Sequence, residues 1–267
     1  MQEGAYTFLL TLQKLQLGIM ADEVLDLKFG SLTYSQGDDS VYFNNVLVNN
    51  VLTDDEVDEA EKRLQSKRRT PTFYFENTLR LGSLKTQLTT KTYKQSFEDC
   101  WMFHPGTSIN TARFSEVKNV TSESDLEVFI KTLDQSFQKG DPQNPYGELG
   151  EYLKIVRNSW HSVKETNRLQ YFIAYKDDQA VAVSTLTSYQ GHGYISNVGS
   201  LKSVRGQGYG KLATLYAVNQ SVSNGNNLHY LGTEEGHYPN VFYTKIGFET
   251  RYKAVGWTKT THPLIST

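Results

Sequence analysis

The period of the hydrophobic positions changes repeatedly along the chain, and each change marks an expected element. Tyr42-Phe43-Asn44-Asn45-Val46-Leu47-Val48 predicts a strand or an extended entry. Thr53-Asp54-Asp55-Glu56 then reads as a capping box, and Val57, Ala60 and Leu64 share the face of the helix it starts. That helix closes with Lys62, Arg63, Lys67, Arg68 and Arg69, where cations complement the macrodipole; the cluster reads as a solvated helix end. Past Pro71, Thr72 to Phe75 predicts a strand, Leu79 to Leu88 a helix, and Phe97 to Phe103 another strand. His104-Pro105-Gly106-Thr107 is the best candidate linker.

In the second half, Phe114 to Val117 predicts a first strand, and Ser122 or Ser124 caps a helix whose apolar stripe is Leu126, Phe129, Ile130 and Leu133. The segment Lys139 to Gly147, with two prolines and two glycines, is a loop. A helix from about Glu148 to Trp160 follows, with Leu149, Leu153, Val156 and Trp160 on one face. Strands at Leu169 to Tyr175 and Ala180 to Tyr189 flank the turn tetrad Lys176-Asp177-Asp178-Gln179, and Gly191-His192-Gly193 makes the next turn. A strand through Tyr194, Ile195 and Val198 passes into a helix bearing Leu212, Leu215, Tyr216 and Val222. Asn224-Gly225-Asn226-Asn227 stops it. A strand at Leu228 to Thr233, a loop from Glu234 to Pro239, a short helix around Tyr243 and a strand from Phe248 to Thr258 complete the chain.

The junction between Asn197 and Leu212 carries the chemistry. The first turn of a helix has backbone N–H groups without intrahelical partners and an electropositive end. Gly206, Gly208 and Gly210 allow a bulky anion to approach that backbone, and Arg205 and Lys211 add charge at either edge. A Walker loop is excluded because Leu212, not Ser or Thr, follows Lys211. A dinucleotide fingerprint fits poorly: the run is G-x-G-x-G, and the position about 20 residues past Gly210, where an acid belongs, is Tyr230.

Arg205-Gly206-Gln207-Gly208-Tyr209-Gly210 resembles the Arg/Gln-x-x-Gly-x-Gly/Ala loop of the GNAT superfamily of acyl-CoA-dependent N-acetyltransferases, and Asn197 to Leu201 looks like its fourth strand. Asn240-Val241-Phe242-Tyr243-Thr244-Lys245-Ile246-Gly247-Phe248 is similar to the family's Phe-Tyr-x-Lys-x-Gly-Phe segment, with Gly247 suited to ending a helix. The resemblance implies a mixed, mostly antiparallel α/β sheet flanked by helices. It implies acetyl-CoA as cosubstrate, its pyrophosphate on the amides of Arg205, Gly206, Gln207, Gly208, Tyr209, Gly210 and Lys211, and its pantetheine arm along Val198, Gly199 and Ser200 with Asn240 beside it. Tyr243 would be the general acid, and the 139–160 loop and helix would overhang the acceptor. Residues 1–112 show the helix and strand order of a partial acetyltransferase half, ending in Trp101-Met102, so a smaller degenerate α/β domain is expected before a catalytic domain at 113–267.

The base is not assigned by spacing. Glu234 and Glu235 stand where the cleft opens, while His192 and His237 have the better intrinsic pKa. With Asn197 in the fourth strand, a carboxylate there is not expected. The six histidines show no paired metal-ligand spacing, so no metal is expected, and Cys100 reads as a small buried residue.

Composition narrows the partners. With 27 Lys plus Arg against 29 Asp plus Glu, no basic field recruits nucleic acid or anionic lipid. A small-molecule or peptide amine is the expected acceptor, and a homodimer is among the assemblies allowed. No apolar run reaches membrane-spanning length, and Glu3 stands where a signal peptide would be basic, so a cytoplasmic protein is expected. Two alternatives stay open: a non-catalytic coenzyme A-binding module, and transfer to a large acceptor, for which the Lys67 to Arg69 cluster is the only support.

Overall fold

The computed structural model describes residues 4–163 and 166–260; Glu3 and His262 lie outside the described residues. The chain contacts divide it into two units. One comprises the chain up to Cys100 together with the chain from Tyr252 onward, and the other is Trp101–Arg251.

The first unit begins with helix α1 (Ala5–Gln16), which buries Phe8, Leu9, Leu12 and Leu15. Strands β1 (Glu23–Leu27), β2 (Gly30–Tyr34) and β3 (Asn45–Val48) precede helix α2 (Asp54–Ser66), strand β4 (Thr72–Glu76) and helix α3 (Gly82–Thr90). Neither α1 nor the β1–β2 hairpin is in the sequence expectation, although the α1 apolar positions do recur at helical spacing. At the start of α2 the Glu56 amide donates to Thr53 Oγ1 (3.3 Å) and the Thr53 amide to Glu56 Oε2 (2.8 Å), so the expected capping box is complete. Val57, Ala60 and Leu64 of α2 and Leu84 and Leu88 of α3 pack with Leu32, Val46, Phe73, Phe75 and Val255 of the strands. Strand order in this unit is β1-β2-β3-β4-β11-β5, using the start of β5 (Tyr93–His104) and the end of β11 (Glu249–Lys259).

The division falls between Cys100 and Trp101. It runs through β5, and the last strand returns to the first unit because Ala254 to Thr258 of β11 pair antiparallel with Glu76 to Thr72 of β4. Two members of the basic cluster act as a clamp, while Arg68 is exposed. Arg69 donates to the carbonyls of Ser35 (2.8 Å) and Gln36 (3.1 Å) and to Asn44 Oδ1 (3.2 Å), while Lys67 pairs with Glu23 at 2.8 Å.

The second unit carries β6 (Val117–Asn119), α4 (Glu123–Ser136), α5 (Tyr152–Val163), β7 (Leu169–Lys176), β8 (Gln179–Tyr189), β9 (His192–Ser200), α6 (Tyr209–Ser223), β10 (Leu228–Glu234) and α7 (Tyr238–Lys245). Strand order is β5-β10-β9-β8-β7-β6; β6, β7, β8 and β9 run antiparallel in turn, and β10 is parallel to β9. Successive residues of a strand face opposite sides. Tyr171 stacks on Phe129 of α4 (4.4 Å) and Phe172 meets Tyr216 of α6 (5.2 Å), which places α4 and α6 on opposite faces.

Three expected boundaries move. Phe114 to Glu116 form a 3-10 turn, and the first strand starts only at Val117. Helix α5 starts at Tyr152 rather than Glu148, because Gly147 and Gly150 hold positive φ (74° and 49°) and interrupt the helical path. The β8–β9 turn is Gln190-Gly191, both at positive φ, so His192 opens β9 instead of lying in the turn.

Candidate active site

Strands β9 and β10 pair only from His192/Leu228 to Tyr194/Tyr230. Beyond that point β9 continues to Ser200 and β10 to Glu234 without further pairing to each other, so the β10-facing edge of β9 keeps its N–H and C=O groups unspent on that neighbour. On its other side β9 bulges. Ser196 pairs with Thr185 and Gly199 with Val183, so Asn197 and Val198 stand opposite Ser184 alone, with Asn197 in the left-handed region (φ 50°). Its side chain is held at both ends: Tyr152 Oη donates to Asn197 Oδ1 (2.9 Å), and Asn197 Nδ2 donates to Thr185 Oγ1 (3.2 Å). Gly199 is obligatory for a different reason, since a Cβ there would lie 2.7 Å from Ser136 Cβ of α4. The open edge thus runs through Val198, Gly199 and Ser200.

The glycine loop follows directly. Gly206 and Gly208 sit at φ 76° and 83°, and Gly208 is the residue before the first turn of α6. The first intrahelical bond is the Leu212 amide to the Gly208 carbonyl (2.9 Å), which leaves the amides of Tyr209, Gly210 and Lys211 without helical partners. A Cβ on Gly206 would meet nothing within 4 Å, while one on Gly210 would come to 3.6 Å from Phe242 Cζ and 3.7 Å from Ser200 Oγ. The backbone here is open to a diphosphate, so a coenzyme A pyrophosphate fits it. Two of the expected amides are already used within the loop: Arg205 donates to Lys202 (3.4 Å) and Gln207 to Val204 (3.1 Å).

The side chains of the loop are placed less as expected. The Arg205 guanidinium is turned to Asp141, to which it donates two bonds (2.7 and 2.5 Å), and it holds that carboxyl below the usual range. Gln207 accepts from Lys176 Nζ (2.9 Å). Arg113 lies over the Tyr209 ring at 4.6 Å and donates to the Gln207 carbonyl (3.4 Å), while also pairing with Glu116. Lys211 is exposed at the third residue of α6. Arg113, Lys176 and Asp141 come from three separate segments, and no local spacing pointed to them.

Helix α7 closes the constellation. Gly247 (φ 102°) ends it in a complete Schellman motif, with the Phe248 amide on the Tyr243 carbonyl (3.1 Å) and the Gly247 amide on the Thr244 carbonyl (3.2 Å). Tyr243 is buried, with its ring against Phe242 and Phe248. Burial pushes its hydroxyl pKa well up, and the nearby Tyr146 and Tyr194 phenols push it further in the same direction. Asn240 is turned toward β10 and β5, donating to Thr233 Oγ1 (3.2 Å) and Met102 Sδ (3.5 Å).

Among the base candidates, Glu234 lies at the end of β10 with its carboxylate 3.3 Å from His237 Nε2, and Glu235 is exposed beside it. His192 is not a cleft residue. It is buried at the opposite end of β9 from the bulge, edge-on to Tyr230. Among the described residues no group of three or more His, Cys, Asp or Glu is placed to hold a metal, and no helix is long and apolar enough to cross a membrane.

No curated protein matches the chain. Its fold is similar to that of a GCN5-related N-acetyltransferase from Kribbella flavida, at 18% identity and TM-score 0.65 over 96% of both chains. It is also similar to a GCN5-related N-acetyltransferase from Sphaerobacter thermophilus, at 13% identity and TM-score 0.62 over 91% of this chain and 84% of that one. A tandem GNAT protein from the clavulanic acid biosynthesis pathway matches at 12% identity and TM-score 0.54, over 88% and 80%. The acetyltransferase (GNAT) family model matches residues 129–248. That stretch, which contains the open edge of β9, the glycine loop and α7, is similar to the GNAT acetyltransferase family, and the chain has the fold of its GNAT neighbours.

Proposed function

We propose that the protein is an acetyl-CoA-dependent N-acetyltransferase acting on an amine of a small molecule or peptide. The observation that carries this reading is the separation of β9 from β10 beyond Tyr194, directly beside the partnerless amides of Tyr209, Gly210 and Lys211. An extended pantetheine arm hydrogen-bonds as a strand along Val198, Gly199 and Ser200, and the diphosphate sits on the loop of Gly206 to Lys211. Acetyl-CoA supplies the activated thioester.

A backbone N–H of the β9 bulge region polarises the carbonyl where negative charge develops. Tyr243, kept as a neutral phenol by burial, gives its proton to the departing thiolate. Glu234, with Glu235 beside it, takes the proton that the attacking amine loses, directly or through water. Atoms balance: a C–N bond forms, a C–S bond breaks, one proton moves from nitrogen to the carboxylate and one from Tyr243 to sulfur, and the enzyme is restored when the carboxylate gives up its proton and the Tyr243 phenolate takes one back, through water. We read the unit before Trp101 as a degenerate partner half in a tandem arrangement.

The test is thermal unfolding with saturating coenzyme A and acetyl-CoA, followed by thiol release across an amine panel. Ligand at about 100 times its Kd stabilises by about 2.7 kcal/mol, which raises Tm by about 5–10 °C. No shift with either ligand refutes the loop assignment, and a shift without thiol release from any amine leaves a coenzyme A-binding protein without transferase activity.

A further inference from the structure

Arg205 does not point at the position an anion would take on the glycine loop; it is spent on Asp141. The pair is tight and largely enclosed, with the Asp141 side chain 7% and the Arg205 side chain 18% exposed. Asp141 begins a segment with little apolar anchorage, and a ladder of short bonds leads on from it. The Gln143 amide donates to Asp141 Oδ1 (2.9 Å), and the Asn144 amide to the Asp141 carbonyl (2.9 Å). The Tyr146 amide donates to Asn144 Oδ1 (3.0 Å), and Asn144 Nδ2 donates to the Gly147 carbonyl (2.7 Å). Past the two glycines the chain reaches Tyr152, which is bonded to Asn197 in the β9 bulge. The segment is therefore fastened at one end to the glycine loop and at the other to the strand that borders the open edge, and between the fastenings it carries Tyr146 toward Tyr243.

We infer that Asp141 is a positioning residue of the transfer site: through Arg205 it makes the order of the 138–151 segment depend on whether the glycine loop is held by coenzyme A. The inference rests on the placement of the diphosphate at Gly206 to Lys211. Binding there immobilises the backbone that carries Arg205, and the bidentate geometry passes that restraint to Asp141, because two parallel bonds fix orientation as well as distance. A segment ordered by a few polar bonds opens easily, so restraint at one fastening changes its population of open states. Coupling is reciprocal: a segment already in place favours the loop conformation that binds the diphosphate.

Hydrogen exchange of the full chain, with and without saturating coenzyme A, tests this without knowledge of the acceptor. In the wild type we expect protection of the amides at 208–211 and, with it, slower exchange across 138–151. In Asp141→Asn the first effect persists and the second is lost, and Asp141→Glu restores part of it. Protection at 208–211 with unchanged exchange at 138–151 in the wild type overturns the inference and spares the binding site. Retained ligand-dependent slowing in Asp141→Asn does the same. Absence of protection at 208–211 refutes the site assignment and the inference with it. If Asp141→Asn does not fold, the wild-type comparison and Asp141→Glu decide.

Discussion

At the scale of single residues, the Tyr243 hydroxyl is governed by burial first and by the Tyr146 and Tyr194 phenols second, and both keep it protonated. A phenol that stays neutral is always available as a donor, while the same burial makes it a weaker acid, so its proton moves only as negative charge builds on the sulfur. Tyr243→Phe removes the donor while leaving the ring contacts with Phe242 and Phe248 intact. Turnover in steady-state thiol release should fall by about 10²–10⁴-fold, with coenzyme A affinity by calorimetry unchanged. Unaltered turnover removes Tyr243 from the acid role. The motif around Tyr243 was legible because its glycine stop is local chemistry. The neighbouring phenols were not, since Tyr146 and Tyr194 reach the site from a loop and from a strand.

At the scale of elements, the capped N-termini of α2 and α4 were legible, because a cap is decided by residues within one turn. Ser122 and Asp125 form the same reciprocal cap on α4 that Thr53 and Glu56 form on α2. The other end of α2 is a Schellman turn, with the Arg69 amide on the Leu64 carbonyl (2.9 Å) and the Arg68 amide on the Gln65 carbonyl (2.8 Å). Its left-handed position is taken by Arg68 at φ 57°, a conformation that costs an L-residue with a Cβ about 1–2 kcal/mol. Arg68→Gly relieves that strain, partly offset by the greater freedom of glycine in the unfolded chain, and should stabilise by about 0.5–1 kcal/mol in urea denaturation. A loss of stability would show that the Arg68 side chain, and not its backbone, matters at this end. The charge pattern alone predicts Arg68 as part of a charged helix end; the backbone assigns it a turn position instead.

At the scale of the whole molecule, buried titratable groups set the pH range of stability. Burial raises the pKa of Tyr93, Tyr171 and Tyr243. Below about pH 10 these phenols are neutral whether the chain is folded or not; above it the unfolded chain releases protons that the folded chain retains, and stability falls as pH rises. Burial lowers His104 and His229, with each imidazole near the other. Below about pH 6.5 the unfolded chain takes up protons that these folded imidazoles refuse, and stability falls again as pH drops. The pairing of Asp141 with Arg205 and of Glu116 with Arg113 holds both carboxyls low, and that contribution is lost further down, as pH falls through their folded values. Urea midpoints measured from pH 5 to pH 11 should therefore show a plateau between about 6.5 and 10 with a decline on each side. A midpoint that is flat through pH 10.5 would mean that the tyrosines ionise in place.

What the sequence determined by itself was whatever depends on neighbours along the chain: the Thr53–Glu56 capping box, a serine cap on α4, the Asp177-Asp178 turn, the glycines at positive φ before α6, and Gly247 after α7. These are backbone conformations that a few adjacent residues select. Tertiary structure alone decided the returns and the pairings. It placed the end of β11 with β4, buried His192 at the start of β9, ended the β9–β10 pairing at Tyr194 and turned Arg205 to Asp141. Each of those depends on which distant strand or loop a segment meets, and a strand records in its own residues which side is buried but not which partner lies beside it.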